Sequence, residues 1–260
     1  MTDETKSLPH DPETLLTVTL DLARHLIECG ADIHRAEDTA SRICTAYGAA
    51  KVDVFCLTSF ISATVTMPDG SHVSQTRRIH AVGTDLYHIE KLNALSRRIC
   101  ASPIPPDEIP PLLEQAMASQ PYPLNMQYLG AVLAAGGYAV YFGGNLIDGI
   151  SAAVVALILT FLLSHRPSGM NPLAATVLQA AFTGILAVLF VWAGFGVHAD
   201  MVLVGDIMLM TPGLTLGSAL RDLLSGDTIS GHLRLMSALL CAAAIAAGIA
   251  ISLTVVGGLL

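Results

Sequence analysis

Two aspartates that lie in strongly apolar sequence are the side chains best placed to do chemistry in this chain. Asp206 falls about six residues into an apolar segment, roughly 9 Å deep for a helix that rises 1.5 Å per residue, and Asp148 falls near the start of another. An ionisable group inside a bilayer costs at least a few kcal/mol, so it usually faces a cavity or a partner. We interpret both as ion-coupling residues, with Asp206 as the proton-coupling or cation-binding group. The alternative for each is an interfacial or helix-paired carboxylate.

A predicted helix break follows Asp206 at Thr211-Pro212-Gly213. Proline lacks a backbone donor and clashes with the preceding turn, and a threonine before proline is a good N-cap. We expect a second half-helix to begin near Pro212, with its positive N-terminus in the membrane interior, where transporters bind anionic groups. Thr211 and Thr215 would add hydroxyl contacts to a bound carboxylate. The alternative is a proline kink, which membrane helices tolerate.

Three charged residues come directly after this segment: Arg221, Asp222 and Asp227. Their position, at the end of an apolar run that is predicted to reach the cytoplasm, suggests a gate at the cytoplasmic mouth of a transport path. The alternative is that they are ordinary anchors at the membrane interface.

The rest of the chain contains no pattern that indicates an enzyme or a metal centre. The five cysteines form no CxxC pair, and the nine histidines include no HExxH or HxH spacing. A nucleophile elbow, a Gly-rich phosphate loop and Walker motifs are also missing. We therefore expect no cofactor, no metal and no catalytic residue, with a hidden hydrolytic site in the N-terminal region as the alternative. The net charge of −8 argues against binding of nucleic acid.

The residues from 125 to 260 have the composition of membrane-spanning sequence. No residue is charged at pH 7 from 115 to 147, from 167 to 197 or from 235 to 260. A bilayer core about 30 Å thick takes roughly 20 mostly apolar helical residues to cross, and lipid leaves no partner for an unpaired backbone group. Glycine, proline and polar residues divide this region into five predicted transmembrane helices, at residues 125–143, 146–164, 173–194, 200–220 and 235–257.

The basic residues predict the orientation of these helices. Ten of the thirteen Lys and Arg residues precede position 125, and Arg166, Arg221 and Arg234 fall in the loops after the second and fourth helices. Five crossings with the N-terminus in the cytoplasm place all of them on the cytoplasmic side, as the positive-inside rule requires. We expect a multi-pass, N-in/C-out membrane protein in contact with lipids.

Residues 1–124 predict a small cytoplasmic α/β domain with a Pro-rich connection to the first span. Apolar residues at helical spacing over 13–47 predict two helices joined at Gly30. A Pro68-Asp69-Gly70 turn predicts a β-hairpin. Strand patterns lie at 52–57, 63–66 and 71–76, and helices are expected from Thr84, as N-cap, to about 100 and over 110–119. A domain of about 100 residues is large enough for one core.

Three stretches of sequence, taken in their order along the chain, make up one further pattern. They are Gly30-Ala31 with Arg35 and Glu37, then Thr84-Asp85-Leu86 with Lys91-Leu92-Asn93 and Arg97, then Thr211-Pro212-Gly213-Leu214 running through Arg221-Asp222-Leu223-Leu224-Ser225-Gly226-Asp227 to Ser230-Gly231. In this order they resemble the threonine/serine exporter family, and more closely its split, YjjP-type subunits. The resemblance covers almost the whole chain from about residue 13, and its last stretch is the most specific.

This resemblance implies secondary export of small hydroxy amino acids, and split members of the family are also associated with export of dicarboxylates such as succinate. Full-length members have ten helices, so a chain with five is expected to need a second membrane subunit, YjjB-type, of four or five helices. We therefore expect a subunit of a proton-motive-force-driven exporter of small carboxylate-bearing metabolites in the bacterial cytoplasmic (inner) membrane. The alternative is a membrane-anchored regulatory or hydrolytic domain without transport activity.

Overall fold

A computed structural model describes residues 11–118, 122–165 and 169–257 of the chain. Arg166, one of the basic residues used to predict the orientation, lies outside these described residues. The elements are α1 (Pro12–Glu28), α2 (Ile33–Ala46), β1 (Lys51–Cys56), β2 (Phe60–Thr66), β3 (His72–Arg78), α3 (Leu86–Ala101), a 3₁₀ turn (Pro106–Glu108), α4 (Ile109–Ala118), α5 (Leu124–Tyr141), α6 (Leu146–Ser164), α7 (Pro172–Trp192), α8 (Ala199–Ile207), α9 (Gly213–Leu224) and α10 (Thr228–Gly257).

The described chain divides into two compact units. The first takes the residues up to 118 together with Leu214–Leu235, and the second takes Tyr122–Gly213 together with the residues from Met236 onward. The polar N-terminal region and the α9–α10 turn thus belong to one unit, although about a hundred residues separate them in sequence. The membrane boundary expected between residues 124 and 125 stays a prediction.

Helix α1 is the centre of the first unit because it is apolar on two faces. Asp11 caps its N-terminus by accepting hydrogen bonds from Glu13 N and Thr14 N. One face, which includes Leu22 and Leu26, packs with buried residues of α3 and α4. The other face packs against α2 and the inner side of the sheet. The helix is therefore buried between two layers, and both layers depend on it.

The connection from α1 to α2 is a tight turn that needs glycine. Gly30 has φ +95°, and a Cβ there would lie 2.5 Å from the carbonyl oxygen of Gly83. The backbone at Gly83 and Asp85 in turn donates hydrogen bonds to the end of α1, at Glu28 O and Cys29 O. Any side chain at position 30 would push this loop away, so the turn and the start of α3 are fixed together.

The three strands form an antiparallel meander in the order β1-β2-β3. Pairs such as Val54 with Ala63 and Ala63 with Gln75 define its register. The predicted β2–β3 hairpin is confirmed: Asp69 accepts a hydrogen bond from Ser71 N at 2.8 Å, and Gly70 has φ +84°. The two predicted helices before the sheet and the two after it are also present. The N-cap of α3 is Asp85 rather than Thr84, because the Asp85 carboxylate accepts from His88 N at 3.0 Å.

The second unit packs its helices through small residues. Alanines at positions 135 and 139 of α5 and at 152 and 156 of α6 form its centre with three other residues of α6, α7 and α8. A Cβ on Gly136 would lie 2.9 Å from the carbonyl oxygen of Gly149, so α5 and α6 approach backbone to backbone. Gly248 of α10 approaches the backbone of α7 at Val177 in the same way, whereas Gly184 of α7 lies against the side chain of Ser252. Small residues at helix contacts are typical of helix association in lipid.

Among the residues that the structure describes, three helices are long and apolar enough to cross a membrane: Leu146–Ser164, Pro172–Trp192 and Thr228–Val256. Large apolar side chains of this unit remain exposed, for example Leu146 at 74 % and Trp192 at 74 %. Exposed apolar surface of this extent marks a membrane or protein contact. The protein is therefore a mostly helical membrane protein with a small antiparallel sheet, and the other two predicted spans stay predictions.

The last helix differs from its predicted bounds. We expected it to begin at 235, after Arg234, but α10 begins at Thr228. The arginine does not end the apolar helix, because its side chain is 5 % exposed and has partners inside the first unit. The fourth predicted span, 200–220, is divided between α8 and α9, with residues 208–212 outside both helices.

Candidate functional site

Asp206 lies on α8 and is completely buried in the second unit. Neither of its carboxylate oxygens has a hydrogen-bond partner within the described residues. Its neighbour Gly205 packs against α5 so closely that a Cβ would lie 2.5 Å from the carbonyl oxygen of Ala135. An ionised carboxylate buried without a partner costs several kcal/mol. The described chain thus offers Asp206 no group that would offset a negative charge, and the ion-coupling role predicted for it stays untested.

Asp148 is equally buried but has every partner that a carboxylate needs. Its Oδ1 accepts from Val197 N at 2.6 Å and His198 N at 3.0 Å, and its Oδ2 lies 2.9 Å from His198 Nδ1. It also forms a capping box with Asn145, in which each side chain accepts from the other residue's backbone N–H. These contacts join the start of α6 to the start of α8. Asp148 thus has a structural task, and the ion-coupling role predicted for it stays untested.

The predicted helix break coincides with an interruption of the chain between α8 and α9. Helix α8 ends at Ile207, and α9 begins at Gly213, just after Pro212. The Thr211 hydroxyl donates backward to Ile207 O at 3.0 Å, so it finishes α8 rather than capping α9 as we predicted. Thr211 and Gly213 are exposed, whereas Pro212 is half-buried. Thr215 lies on α9 and falls in the first unit, and the substrate-binding role of these four residues stays a prediction.

The charged residues after α9 form part of a buried junction in the first unit. Asp222 is 1 % exposed and accepts a hydrogen bond from Ile33 N, the first residue of α2, at 3.3 Å. Its other oxygen lies 3.2 Å from Arg234 Nε in an ion pair. The Arg234 guanidinium also donates to Gly30 O at 3.4 Å and to Ala31 O at 2.6 Å. Burial raises the pKa of Asp222, and the charge of Arg234 partly opposes this rise.

The remaining members of the predicted gate lie at the edge of this junction. Arg221 is largely exposed and donates to Asp32 Oδ2 at 2.9 Å. The backbone N–H of Asp227 donates to Asp222 O at 2.9 Å and closes the turn between α9 and α10. The junction therefore holds the α9–α10 turn against the α1–α2 turn, which is a connecting task that we had not assigned to it. Its predicted role as a gate is not tested by these contacts.

Three residues of these sites escaped the sequence analysis. His198 and Asp32 carried no signal, because their partners are distant in sequence. Arg234 was used only as a loop charge, although a lone arginine in an apolar helix is itself a signal for a buried partner. The capping box Asn145-x-x-Asp148 also had a readable local pattern. Among the described residues, no group of three or more His, Cys, Asp or Glu side chains is placed to hold a metal ion.

The junction brings together two of the three stretches that carried the family resemblance, Gly30-Ala31 and Arg221 to Gly231. A comparison with protein families agrees with the resemblance: residues 17–256 match the family described as "Putative threonine/serine exporter". The chain belongs to the threonine/serine exporter family. Family membership thus accounts for nearly the whole described chain, including both compact units.

A curated relative from Mycobacterium tuberculosis, described as "Probable threonine/serine exporter", is 26 % identical to this chain over 245 residues. That alignment covers 92 % of the chain and 46 % of the relative, so this member of the exporter family spans about half the length of the curated protein. No solved structure matches the chain.

Proposed function

We propose that this chain is a subunit of a secondary active exporter of small carboxylate-bearing metabolites, such as threonine, serine or C4-dicarboxylates, and that the proton motive force drives it. Membership of the exporter family supports the transport class. The observation that carries the mechanism is Asp206, whose two buried oxygens have no partner in the described chain. A membrane-anchored regulatory domain would have no use for such a group.

In this proposal Asp206 carries the coupling proton. The side chain is neutral while α8 is packed against α5, and it releases its proton when α8 moves and water or substrate reaches the carboxylate. We assign this role to Asp206 rather than Asp148, because Asp148 already accepts four N–H groups and is committed to holding α8. Whether Asp206 carries a proton would thus decide which packing of α8 is stable.

We propose that the substrate carboxylate binds at the helix break, where Pro212 precedes α9, Gly213 begins it, and Thr211 and Thr215 supply hydroxyl groups. The start of a helix offers unpaired N–H groups and a partial positive charge, which favour an anion. The support for this location is the interruption between Ile207 and Gly213, because an unbroken helix would leave no such groups free. Arg221, Asp222 and Asp227, after α9, would then lie toward the cytoplasmic mouth.

We also propose that the chain lies in the bacterial inner membrane with five crossings, N-in/C-out, and the sheet-containing domain in the cytoplasm. The three long apolar helices and the distribution of Lys and Arg support this topology. Transport is proposed to need helices equivalent to the rest of the curated relative, supplied by a second membrane subunit. Reconstitution of this chain alone, if it gave full substrate-dependent flux, would contradict the need for that subunit.

The test of the coupling role compares Asp206→Asn with Asp200→Asn, a control on the exposed first turn of the same helix. Inverted membrane vesicles with an imposed pH gradient are supplied with labelled threonine, serine or succinate. We expect Asp206→Asn to abolish gradient-driven accumulation while the protein still inserts, because asparagine keeps the shape but cannot exchange a proton. Asp200→Asn should accumulate substrate as the unsubstituted protein does.

Substrate exchange at equal pH separates loss of coupling from loss of structure. A coupling residue predicts that Asp206→Asn still exchanges internal for external substrate, since exchange needs no net proton movement. Gradient-driven accumulation at the original rate in Asp206→Asn would remove Asp206 from the mechanism. The same assays, if they detect no transport in any form of the complex, would favour the regulatory alternative.

A further inference from the structure

A polar groove lies between α2 and α3 in the first unit, away from the junction at Asp222. Its volume is about 540 Å³, within the range of about 300–1,000 Å³ that small-molecule sites occupy. Three arginines line it, Arg35 and Arg42 from α2 and Arg97 from α3, together with Asp38 and Asn93. Two separate helices thus direct guanidinium groups toward the same space.

Positive charge is in excess in this groove although the whole chain carries a net charge of −8. The one carboxylate that lines it, Asp38, is already paired with Arg42 Nε at 2.8 Å. Arg35 lies 4.0 Å from its nearest carboxylate, Asp32, and half of its side chain is exposed. Arg97 forms no ion pair with any part of the chain that the structure describes. Two guanidinium groups are therefore available to a ligand.

Neutral polar groups complete the walls. Thr39 and Ser96 are each only 7 % exposed, and both line the groove. The Ser96 hydroxyl donates to Asn93 O at 3.0 Å, which fixes the serine within the last turns of α3. The groove therefore offers the Thr39 hydroxyl and the Asn93 amide beside the arginines, a combination suited to hydrogen bonds with several oxygen atoms of one ligand.

We propose that this groove binds a small dianion that bears carboxylate or phosphate groups. Arginine presents a planar fork of N–H donors that matches both groups with two parallel hydrogen bonds. Two available guanidinium groups favour a ligand with two negative charges. The proposal does not depend on the transport mechanism, because Arg35, Asn93 and Arg97 take no part in the site assigned to export.

A ligand bound in the groove can affect α9 through a carboxylate that two arginines share. Arg35 and Arg221 share the same carboxylate, at 4.0 Å and 2.9 Å from Asp32 Oδ2. A dianion that draws Arg35 into the groove leaves Asp32 to Arg221 alone and strengthens the contact between the α1–α2 turn and α9. Binding would therefore reach α9, the helix that carries Gly213 and Thr215 of the proposed substrate site. In this further role, which rests on the proposed function, the dianion would act as a cytoplasmic signal.

Cys100 provides a local probe, because it lines the groove and is only partly buried. The full chain, in a neutral detergent at constant ionic strength, is labelled with a thiol reagent while inorganic phosphate or succinate is titrated. We expect either dianion to slow labelling of Cys100 in a saturable way, whereas chloride does not. Cys241, in the other unit, should react at an unchanged rate.

The variants Arg97→Gln and Arg98→Gln form a matched pair. Arg98 is the next residue on α3 but lines a different surface, with Lys91. We expect Arg97→Gln to raise the half-protecting concentration about tenfold or more, as for the loss of one charge-assisted contact, and Arg98→Gln to change it less than about twofold. Both side chains are exposed, so both proteins should fold.

Two results would overturn the proposal. One is the absence of saturable protection by phosphate and succinate, and the other is equal weakening by both variants, which indicates unspecific attraction. The same labelling in nanodiscs tests lipid headgroups as the source of phosphate. Protection that requires phosphatidylglycerol and ignores free dianions would mean a lipid-binding surface and would refute a site for a soluble ligand.

Discussion

The substitution Arg234→Met should destabilise the first unit far more than the loss of an exposed positive charge would. The substitution keeps an apolar stem in the helix but removes the partner of Asp222, which is 1 % exposed, and the donors to Gly30 O and Ala31 O. Removing one member of a buried ion pair costs about 3–5 kcal/mol, because the other charge is left buried. Arg221→Met is the matched control, since its pair with Asp32 is largely exposed and exposed ion pairs contribute little to stability.

The free energy of opening can be read from the buried thiol of Cys44 in the same unit. Pulsed labelling of this cysteine across a urea series gives the population of the open state, and mass spectrometry separates it from the other cysteines. We expect Arg234→Met to lower the opening free energy by about 3–5 kcal/mol and Arg221→Met to leave it almost unchanged. Adding Asp222→Asn to Arg234→Met should recover part of the loss, because no charge is then left unpaired.

The pH dependence follows from the direction of the Asp222 pKa. Burial raises this pKa above its ordinary value of 3.8, so the folded protein holds the proton more tightly than the unfolded chain. Protonation therefore favours folding below the raised pKa, and this contribution is lost as the pH rises through it. Without Arg234 the pKa rises further, so the loss in Arg234→Met should shrink as the pH is lowered toward 4. A loss below about 1 kcal/mol, or one that is independent of both Asp222→Asn and pH, would refute this account of the junction.

Three further predictions concern backbone packing. Gly30→Ala should reduce folding of the first unit severely. Gly48→Ala, which is also at positive φ but has no atom within 4 Å of its Cβ, should lower the stability of the unit much less. Protection of the buried thiols from labelling measures both effects. Gly205→Ala should separate α8 from α5 and raise hydrogen exchange in both helices, while Gly217→Ala, which meets nothing, should leave it unchanged. Asp148→Ala should speed exchange and proteolysis at the start of α8, because the backbone N–H groups of Val197 and His198 lose their acceptor. Unchanged protection there would contradict the capping role.

The parts of the fold that could be predicted from the sequence are those with local causes. The helical periodicity of residues 13–47, the stop at Gly30 and the hairpin at Asp69-Gly70 each depend on residues close together in the chain, and each was confirmed. Helix α10 begins at Thr228, before the predicted span at 235–257, because Arg234 does not end the helix as its charge had suggested. That charge is tolerated in the helix through the ion pair with Asp222 and through hydrogen bonds to residues about 200 positions away.

The same distinction between local and long-range causes applies to the candidate site. The carboxylate at Asp206 was conspicuous in sequence because charge is costly in apolar surroundings, but the absence of a hydrogen-bond partner among the described residues could be seen only in the folded chain. The sequence around Asp222, by contrast, did not indicate its partners, and we interpreted this residue as part of a gate. Its hydrogen bond to Ile33 N spans 189 positions, and no local pattern carries that information.

The packing around Asp206 also bears on which cation the protein can use. A metal cation in a protein is held by a shell of several oxygen ligands at once. Asp206 supplies two oxygens, and neither has a hydrogen-bond partner in the part of the chain that the structure describes. Both oxygens are enclosed, so a sodium ion bound there would have to bring water with it as further ligands. A proton needs one oxygen and no further ligand, and this difference in coordination number is the reason for proposing a proton as the coupling ion.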